Sequence, residues 1–340
     1  FTSFVIVCYL FYRLIDETIL DDTIDPENLP NVKWPLINLQ DENKNNINML
    51  CIRGPLEESK DQQFFKKCLQ SGVKFVGCSS YLSFPQPCLN KHGNCHTSME
   101  FEGKPYYDKK YVLGWLHPFR NSDKYIPKQV PTLLLSESDF GDNMKLSSEL
   151  NKSKVFDFIV YCPKDKNCKN GWNSHNKNWL LCEKLIKTLC DDFHQKGILV
   201  GRDDCSLSIR NKDKLTVTGF LNYWDFIGKM AKSKYTLIPS YEDASPRTIT
   251  ESLTLNVPIF VNKDILGGWK YVDKQSGMFF SESTMKQDIQ TFLSKLSTYQ
   301  PRTYFFDNYG IEKSGKQLRD FLKKINPKVT DCKIVQFPIS

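Results

Sequence analysis

Six side chains able to hold an anionic, hydroxyl-rich ligand fall in one ten-residue window: Glu242, Asp243, Ser245, Arg247, Thr248 and Glu251. Ser245 suits the N-cap of a helix and Pro246 its first position, where no N–H is needed. The unpaired N–H groups of the next turn, together with the helix dipole, favour an anion. Arg247 and Thr248 occupy that turn, and a cation there opposes the dipole, so Arg247 adds nothing to the helix itself. A bound phosphate or carboxylate reverses that sign; otherwise the residue is a solvated surface arginine. Asp243 and Glu251, with seven residues between them, bracket the helix start, and carboxylates accept hydrogen bonds from vicinal diols. The combination points to a phosphate-plus-polyol ligand rather than free phosphate.

Convergence of these groups requires the window to lie at the carboxyl edge of a parallel sheet. The flanks supply that: an apolar strand at Tyr235–Ile238, a polar turn to Ser245, a helix over about 246–255 and a second strand at Pro258–Val261. This is a strand-turn-helix-strand unit, whose loop and helix start face the edge where open α/β sheets bind ligands. Upstream, Val155–Tyr161, Gly197–Gly201 and Leu215–Thr218 read as strands, and Trp179–Phe193 and Tyr223–Ala231 as helices. Further back, a strand at Ile47–Ile52, a helix at Asp61–Leu69 and a strand at Val73–Val76 form a βαβ unit, followed by strands at Tyr111–Trp115 and Thr132–Leu135. Gly277–Phe280 reads as the last strand or a turn, with helices at Met285–Leu296 and Glu312–Ile325 after it, the last crossing back to the first domain. The paired Gly267 and Gly268 allow close backbone approach to a ligand. The fold class is α/β.

The Asp243 to Glu251 spacing, with Ser245-Pro246-Arg247 inside it and Asn256-Val257-Pro258-Ile259-Phe260-Val261 after it, resembles the donor-binding segment of GT-B-fold glycosyltransferases. In the large retaining family of that fold the segment runs acidic residue, seven residues, Glu, then Gly-x-Pro-Val. Asp243 stands here for the first Glu and Asn256 for the Gly. Ala244-Ser245-Pro246-Arg247 also resembles the exostosin-type enzymes, which invert the anomeric centre. The resemblance covers roughly 155–324. It implies two Rossmann-like domains facing across a cleft, and transfer of a sugar from a nucleotide-diphosphate sugar to a hydroxyl of a glycan, glycoprotein or glycolipid.

The resemblance also implies residue roles. Donor diphosphate sits on the Ser245–Arg247 helix start, with Glu251 on ribose or sugar hydroxyls and Asp243 or Glu242 near the transferred sugar. A lysine of the 162–178 loop, with Lys169 and Lys177 the candidates, offsets the charge leaving with the nucleotide, without a metal or other cofactor. Gly219 and Phe220 approach the nucleobase. The first domain holds the acceptor near His117 and Arg120, and in an inverting enzyme Glu137, Asp139 or His117 deprotonates the acceptor hydroxyl. A retaining enzyme requires no side-chain nucleophile. The Asp-x-Asp pattern of metal-dependent glycosyltransferases does not occur, so no metal site is expected.

A chain of 340 residues, 40% hydrophobic and 25% charged, is globular and long enough for two domains. The expected division is an acceptor-side domain at 34–150, a donor domain at 151–325 and a tail at 326–340, with a polar linker around 142–154. The net charge of +7 is spread over single lysines with no basic block, which argues against a nucleic-acid partner. No Gly-x-Gly-x-x-Gly follows a strand, which argues against a dinucleotide enzyme. The departures at Asp243 and Asn256 leave room for the alternative, a non-catalytic carbohydrate- or nucleotide-binding protein with a decayed version of the fold.

Residues 1–12 form a charge-free apolar run, followed by Arg13 and an acidic stretch to residue 33. A spanning helix needs about 20 apolar residues, so the run is read as the tail of a signal-anchor helix and 13–33 as a stem. That reading places a single-pass, membrane-attached protein with its catalytic part in the secretory lumen; a cytoplasmic location is the alternative. Asn151-Lys152-Ser153 is a glycosylation sequon usable only in that lumen. Among the twelve cysteines, Cys78, Cys88 and Cys95 lie near His92 and His96, as a zinc site, a disulfide loop or scattered thiols. Cys162 and Cys168 are a candidate pair in an oxidising compartment.

Overall fold

The structure is a computed structural model that describes residues 23–81, 84–86, 99–142, 145–166, 168 and 171–338. The expected membrane-anchor run, the start of the stem, Lys169, and Cys88, His92, Cys95 and His96 lie outside the described residues. No helix among the described residues is long and apolar enough to cross a membrane.

Two sheets organise the chain. The first has five strands in the order Leu36–Gln40, Asn46–Ile52, Lys74–Cys78, Trp115–His117, Thr132–Leu134. Only its edge strand, Leu36–Gln40, runs antiparallel to its neighbour. Parallel pairing buries both faces, which is why Met49, Leu50, Cys51 and Ile52 are all inaccessible to solvent instead of alternating. The Ser59–Gln70 helix makes the first crossover and buries Phe65 and Cys68. The strand expected at Tyr111–Trp115 begins later. Tyr111 is a turn residue whose hydroxyl donates to the Phe101 carbonyl at 2.6 Å and whose ring packs on Phe65 and Phe101.

The second sheet has six strands, all parallel, in the order Leu215–Thr218, Gly197–Val200, Phe156–Tyr161, Ser233–Ile238, Ile259–Asn262, Gly277–Phe280. In chain order that is 3-2-1-4-5-6, the doubly wound Rossmann arrangement. The order reverses between Phe156–Tyr161 and Ser233–Ile238, so the loops 162–178 and 239–246 flank the switch point where such sheets bind ligands. The helix Trp179–Asp191 covers one face with Cys182, Leu185, Ile186 and Leu189, and Arg247–Thr254 covers the other with Ile249 and Leu253. Gly197 has no side chain for a packing reason: a Cβ there would meet the Phe158 ring at 2.0 Å.

The chain then returns. Leu318, Phe321 and Leu322 of the Ile311–Ile325 helix share one buried cluster with Leu39, Met49, Val76 and Leu116 of the first sheet. The tail continues across that sheet's edge, where Gln40 and Gln336 exchange backbone hydrogen bonds of 2.8 Å in both directions. Val335 and Phe337 are buried there. Residues 23–33, the part of the expected stem that is described, also lie on the first domain. Leu29 is buried in its core, and Asn38 accepts from the Val32 N–H at 2.8 Å and donates to the Pro30 carbonyl at 3.0 Å. The Pro301–Asn308 helix, which the sequence did not suggest, sets Phe305 against the Arg247–Thr254 helix.

Candidate functional site

The helix at the centre of the reading spans Arg247–Thr254, and its cap differs from expectation. Pro246 holds the N-cap position with no side-chain cap, while the Ser245 hydroxyl pairs with the Ser138 hydroxyl at 2.8 Å. Ser245 therefore ties the helix start to the first domain instead of satisfying an N–H. The first backbone bond into this turn runs from the Ile249 N–H to the Pro246 carbonyl, which leaves the N–H groups of Arg247 and Thr248 at an open helix start. Thr248 is half-buried in this turn. Gly267 and Gly268 have a packing reason to be glycine: a Cβ at Gly267 would stand 1.9 Å from the Ala244 carbonyl oxygen, and one at Gly268 2.5 Å from the Pro246 ring. The Leu266 and Gly267 N–H groups bond the Tyr241 and Asp243 carbonyls at 2.8 and 2.9 Å.

A cavity of about 840 Å³ opens beside this helix, between the two sheets. Arg247, Thr250, Glu251 and Thr254, at helical spacing on one face, form one wall. Arg53, Ser80 and Glu137 form the opposite wall, and Lys145, Tyr223 and Trp224 close the side. Arg247 is exposed, and neither it nor the Glu251 carboxylate has a hydrogen bond or ion pair with another described side chain. Burial raises the Glu251 carboxyl above its ordinary range, against the pull of Arg247 and Lys145. Burial likewise raises Glu137, opposed by Arg53 and Arg247. Glu137 is held by Arg53 Nε at 2.9 Å, with both side chains about four-fifths shielded. Burial and the Glu251 charge push the Tyr223 hydroxyl up to about 12, so it remains a donor at neutral pH.

Glu137 thus faces the cavity, and Asp139 does not. Asp139 accepts from the Ser136 N–H at 2.9 Å, from Lys270 Nζ at 2.5 Å and from the Tyr271 hydroxyl at 2.5 Å. Its backbone carbonyl accepts from Gly310 N–H and Ser314 Oγ at 2.8 and 3.1 Å. With both carboxylate oxygens engaged and 2% of the residue exposed, it fastens the loop after the fifth strand of the second sheet to the first domain. Arg120 does similar work on the surface, donating to the Lys263 carbonyl at 2.7 Å and lying over the rings of Trp269 and Phe279. His117 ends its strand in a buried position, stacked on Phe119, with Nδ1 lacking a hydrogen-bond partner among the described residues. Burial, followed by the Lys270 charge, lowers its pKa to about 4, so the imidazole is neutral at physiological pH.

On the far side of the switch point, Lys177 and Asp243 form a partly buried ion pair. Burial opposes the Lys177 charge, but Asp243 outweighs it and holds the ammonium above its ordinary range. Glu242 Oε2 lies 3.2 Å from His175 Nε2. Gly219 abuts Asp203, whose Oδ2 would be 2.9 Å from a Cβ there, and Phe220 stands 77% exposed next to it.

The loop carrying Lys177 is built on Arg202, which the sequence reading passed over. Arg202 is fully buried over the Trp179 ring, with its guanidinium 4.0 Å from the ring centroid. It donates to the carbonyls of Cys162, Cys168 and Pro163 and to the Ser174 hydroxyl. Cys168 pairs with Cys205 and not with Cys162, which is buried and free; the Cα atoms of the bonded pair are 5.6 Å apart. Cys162 directly follows the strand Phe156–Tyr161 and is buried in the core cluster with Cys182. Arg53, Lys145 and Tyr223 were likewise missed; their neighbours in sequence carry no pattern that distinguishes them from surface residues. No three His, Cys, Asp or Glu side chains among the described residues are grouped so as to hold a metal ion.

Comparison with protein-family models and with curated proteins yields no match. Comparison with solved structures does. A glycosyltransferase from Rickettsia africae ESF-5 superposes with a TM-score of 0.53 at 13% identity, over 82% of this chain and 77% of that one. The lipopolysaccharide outer core galactosyltransferase WaaB gives 0.51 at 12% identity, over 77% of this chain and 72% of that one. An S. aureus TarM variant in complex with fondaparinux, alpha-GlcNAc-glycerol and UDP gives 0.53 at 10% identity. The matched region is 78% of this chain and 54% of TarM, so the chain spans about half the length of that protein. At these identities the likeness is one of fold: two Rossmann-like domains across a cleft.

Proposed function

We propose that this chain, which has the GT-B glycosyltransferase fold, is itself a glycosyltransferase, moving a sugar from a nucleotide-diphosphate sugar to a hydroxyl of a glycan or glycoconjugate. One observation carries the reading. Arg247 and Glu251, one turn apart on one helix face, border a cavity of about 840 Å³ between the domains, with no hydrogen bond or ion pair to another side chain among the described residues. An open helix start and a guanidinium form an anion site, and a carboxylate one turn further along suits a ribose diol. UDP, the nucleotide in the TarM complex, is the first candidate.

In this reading the diphosphate lies on the N–H groups of Arg247 and Thr248 and on the Arg247 side chain. Arg53 and Lys145 line the same cavity, and with Arg247 they offset the charge that builds on the leaving nucleotide, without a metal. Glu137, raised by burial and set across the cavity from the donor helix, is the general base if the reaction inverts. Asp139 is left out of the chemistry, because its oxygens are consumed by Lys270, Tyr271 and the Ser136 N–H. Asp243, neutralised by Lys177, helps seat the transferred sugar by presenting a fixed, paired carboxylate at the switch point.

We also infer a luminal, membrane-attached location. Support comes from the apolar run at 1–12, the exposed sequon at Asn151 and the Cys168–Cys205 disulfide, which suits an oxidising compartment.

The test is a thermal-shift screen of the purified chain against UDP, GDP, ADP and CMP, each with and without manganese, followed by hydrolysis assays with sugar conjugates of any hit. A manganese-independent shift with one nucleotide, with slow release of its sugar into water, is expected. A shift without hydrolysis or transfer would turn the assignment to a binding protein, and no shift with any nucleotide would overturn the donor site.

A further inference from the structure

Three aromatic rings from the two domains meet outside the residues that line the cavity. Trp34 is 51% exposed and Trp172, on the other domain, is 40% exposed. Tyr81 lies between them, edge-on to Trp34 with centroids 6.0 Å apart and nearly parallel to Trp172 with centroids 6.4 Å apart. Exposed indoles are costly in water, and three large rings in mutual contact are not scattered surface residues. Their packing explains why they stay in place: Trp34 lies over Gly54, where a Cβ would come within 2.6 Å of its ring.

The inner end of this cluster is joined to the cavity by Arg53. Its guanidinium sits 5.3 Å from the Trp34 ring centroid, its Nε is 2.9 Å from Glu137, and its Nε also bonds the Ser80 hydroxyl at 3.3 Å. Arg53, Ser80 and Glu137 all line the cavity. A molecule resting on Trp34 therefore has its inner end at the carboxylate proposed to activate a hydroxyl. Flat rings rimmed by polar groups suit a ligand with apolar C–H faces and a hydroxyl edge, which is the chemistry of a pyranose. A lipid tail would gain from the rings but would make no use of the polar Arg53, Ser80 and Glu137 groups at their inner end.

We propose that Trp34, Tyr81 and Trp172 form an acceptor platform, and that the acceptor is an oligosaccharide of several residues with its reacting sugar at Trp34. This rests on the glycosyltransferase reading and narrows it, leaving monosaccharide, lipid and bare peptide hydroxyls as poor acceptors.

The experiment uses the 340-residue chain without donor and follows tryptophan fluorescence on titration with chito-, cello-, malto- and manno-oligosaccharides of one to six residues. At least one series is expected to quench the emission, with affinity rising from one residue to three and levelling thereafter. Trp34→Ala and Trp172→Ala should each weaken that binding roughly tenfold, while the nucleotide-induced thermal shift, which also reports folding, is unchanged. Trp34→Phe should recover most of the loss. Affinity independent of chain length, wild-type binding by both alanine variants, or no quenching by any series while the nucleotide shift persists would overturn the platform. Loss of the nucleotide shift in the unmodified chain would instead overturn the donor-site reading. Displacement of a bound glycan by UDP alone would reassign the rings to the nucleobase.

Discussion

Residues of one chemical type perform different work in this molecule according to what surrounds them. Glu137 and Asp139 are two positions apart, yet one faces a cavity with a raised pKa and the other is consumed by three donors. Arg247 makes no hydrogen bond or ion pair with another side chain among the described residues, whereas the fully buried Arg202 is saturated by carbonyls and a hydroxyl. Arg247→Ala should weaken nucleotide-diphosphate binding about 10–100-fold, the value of one or two charge-assisted hydrogen bonds. Glu251→Gln should leave diphosphate binding within a few-fold and reduce transfer. Calorimetric titration with UDP and with inorganic pyrophosphate separates the two, and equal losses for both variants would argue against the division of roles. His117 makes a stability prediction. Its folded pKa of about 4 lies below the unfolded value, so the unfolded chain binds a proton first as pH falls. Stability should therefore drop between about pH 6.5 and 4, by on the order of 3 kcal/mol, and level off below. Denaturant melts of His117→Gln across that range should lack this part of the acid slope.

At the scale of elements, the loops at the switch point of the second sheet are held by backbone contacts that leave no spare volume. The loop after Ile259–Asn262 is bonded to the 239–246 loop through Leu266 and Gly267, with Gly267 against the Ala244 carbonyl. Gly267→Ala must push the two loops apart, and because both contacting atoms are backbone the cost should be about 1–3 kcal/mol. It should also displace the start of the Arg247–Thr254 helix. The check is a urea melt beside a nucleotide titration: a stable variant with weakened UDP binding shows that this contact sets the helix position. The strand-turn-helix-strand unit around residues 235–262 was legible because its apolar runs and turn chemistry agree with each other. The cap was not, because Ser245 had two partners within reach, a local N–H and the distant Ser138 hydroxyl, and only packing chose between them.

For the whole molecule, the return of the last helix decides how the domains are joined. The helix Ile311–Ile325 and the tail to residue 338 bury Leu318, Phe321, Val335 and Phe337 on the first sheet. The first domain is thus completed by the end of the chain, and the cleft is bordered by segments far apart in sequence. Truncation after Pro327 removes Val335 and Phe337 and exposes the edge strand at Gln40, with an expected cost of about 3–5 kcal/mol from two large buried side chains. Limited proteolysis should then cut the first domain before the second. Simultaneous loss of both would show that the two melt as one unit.

The amino-acid sequence by itself determined the α/β class, most strand and helix positions in the second sheet, and the segment from Asp243 to Glu251, because hydrophobic period and turn residues act over short distances. It also singled out Arg247, whose charge is unfavourable to its own helix. Tertiary structure alone decided which groups meet. Arg53 joins Glu137 across 84 residues of chain, Asp139 is claimed by Lys270 and Tyr271, and Cys168 finds Cys205 instead of Cys162. These pairings depend on where two sheets and a returning helix bring distant segments together, and no local pattern encodes that distance.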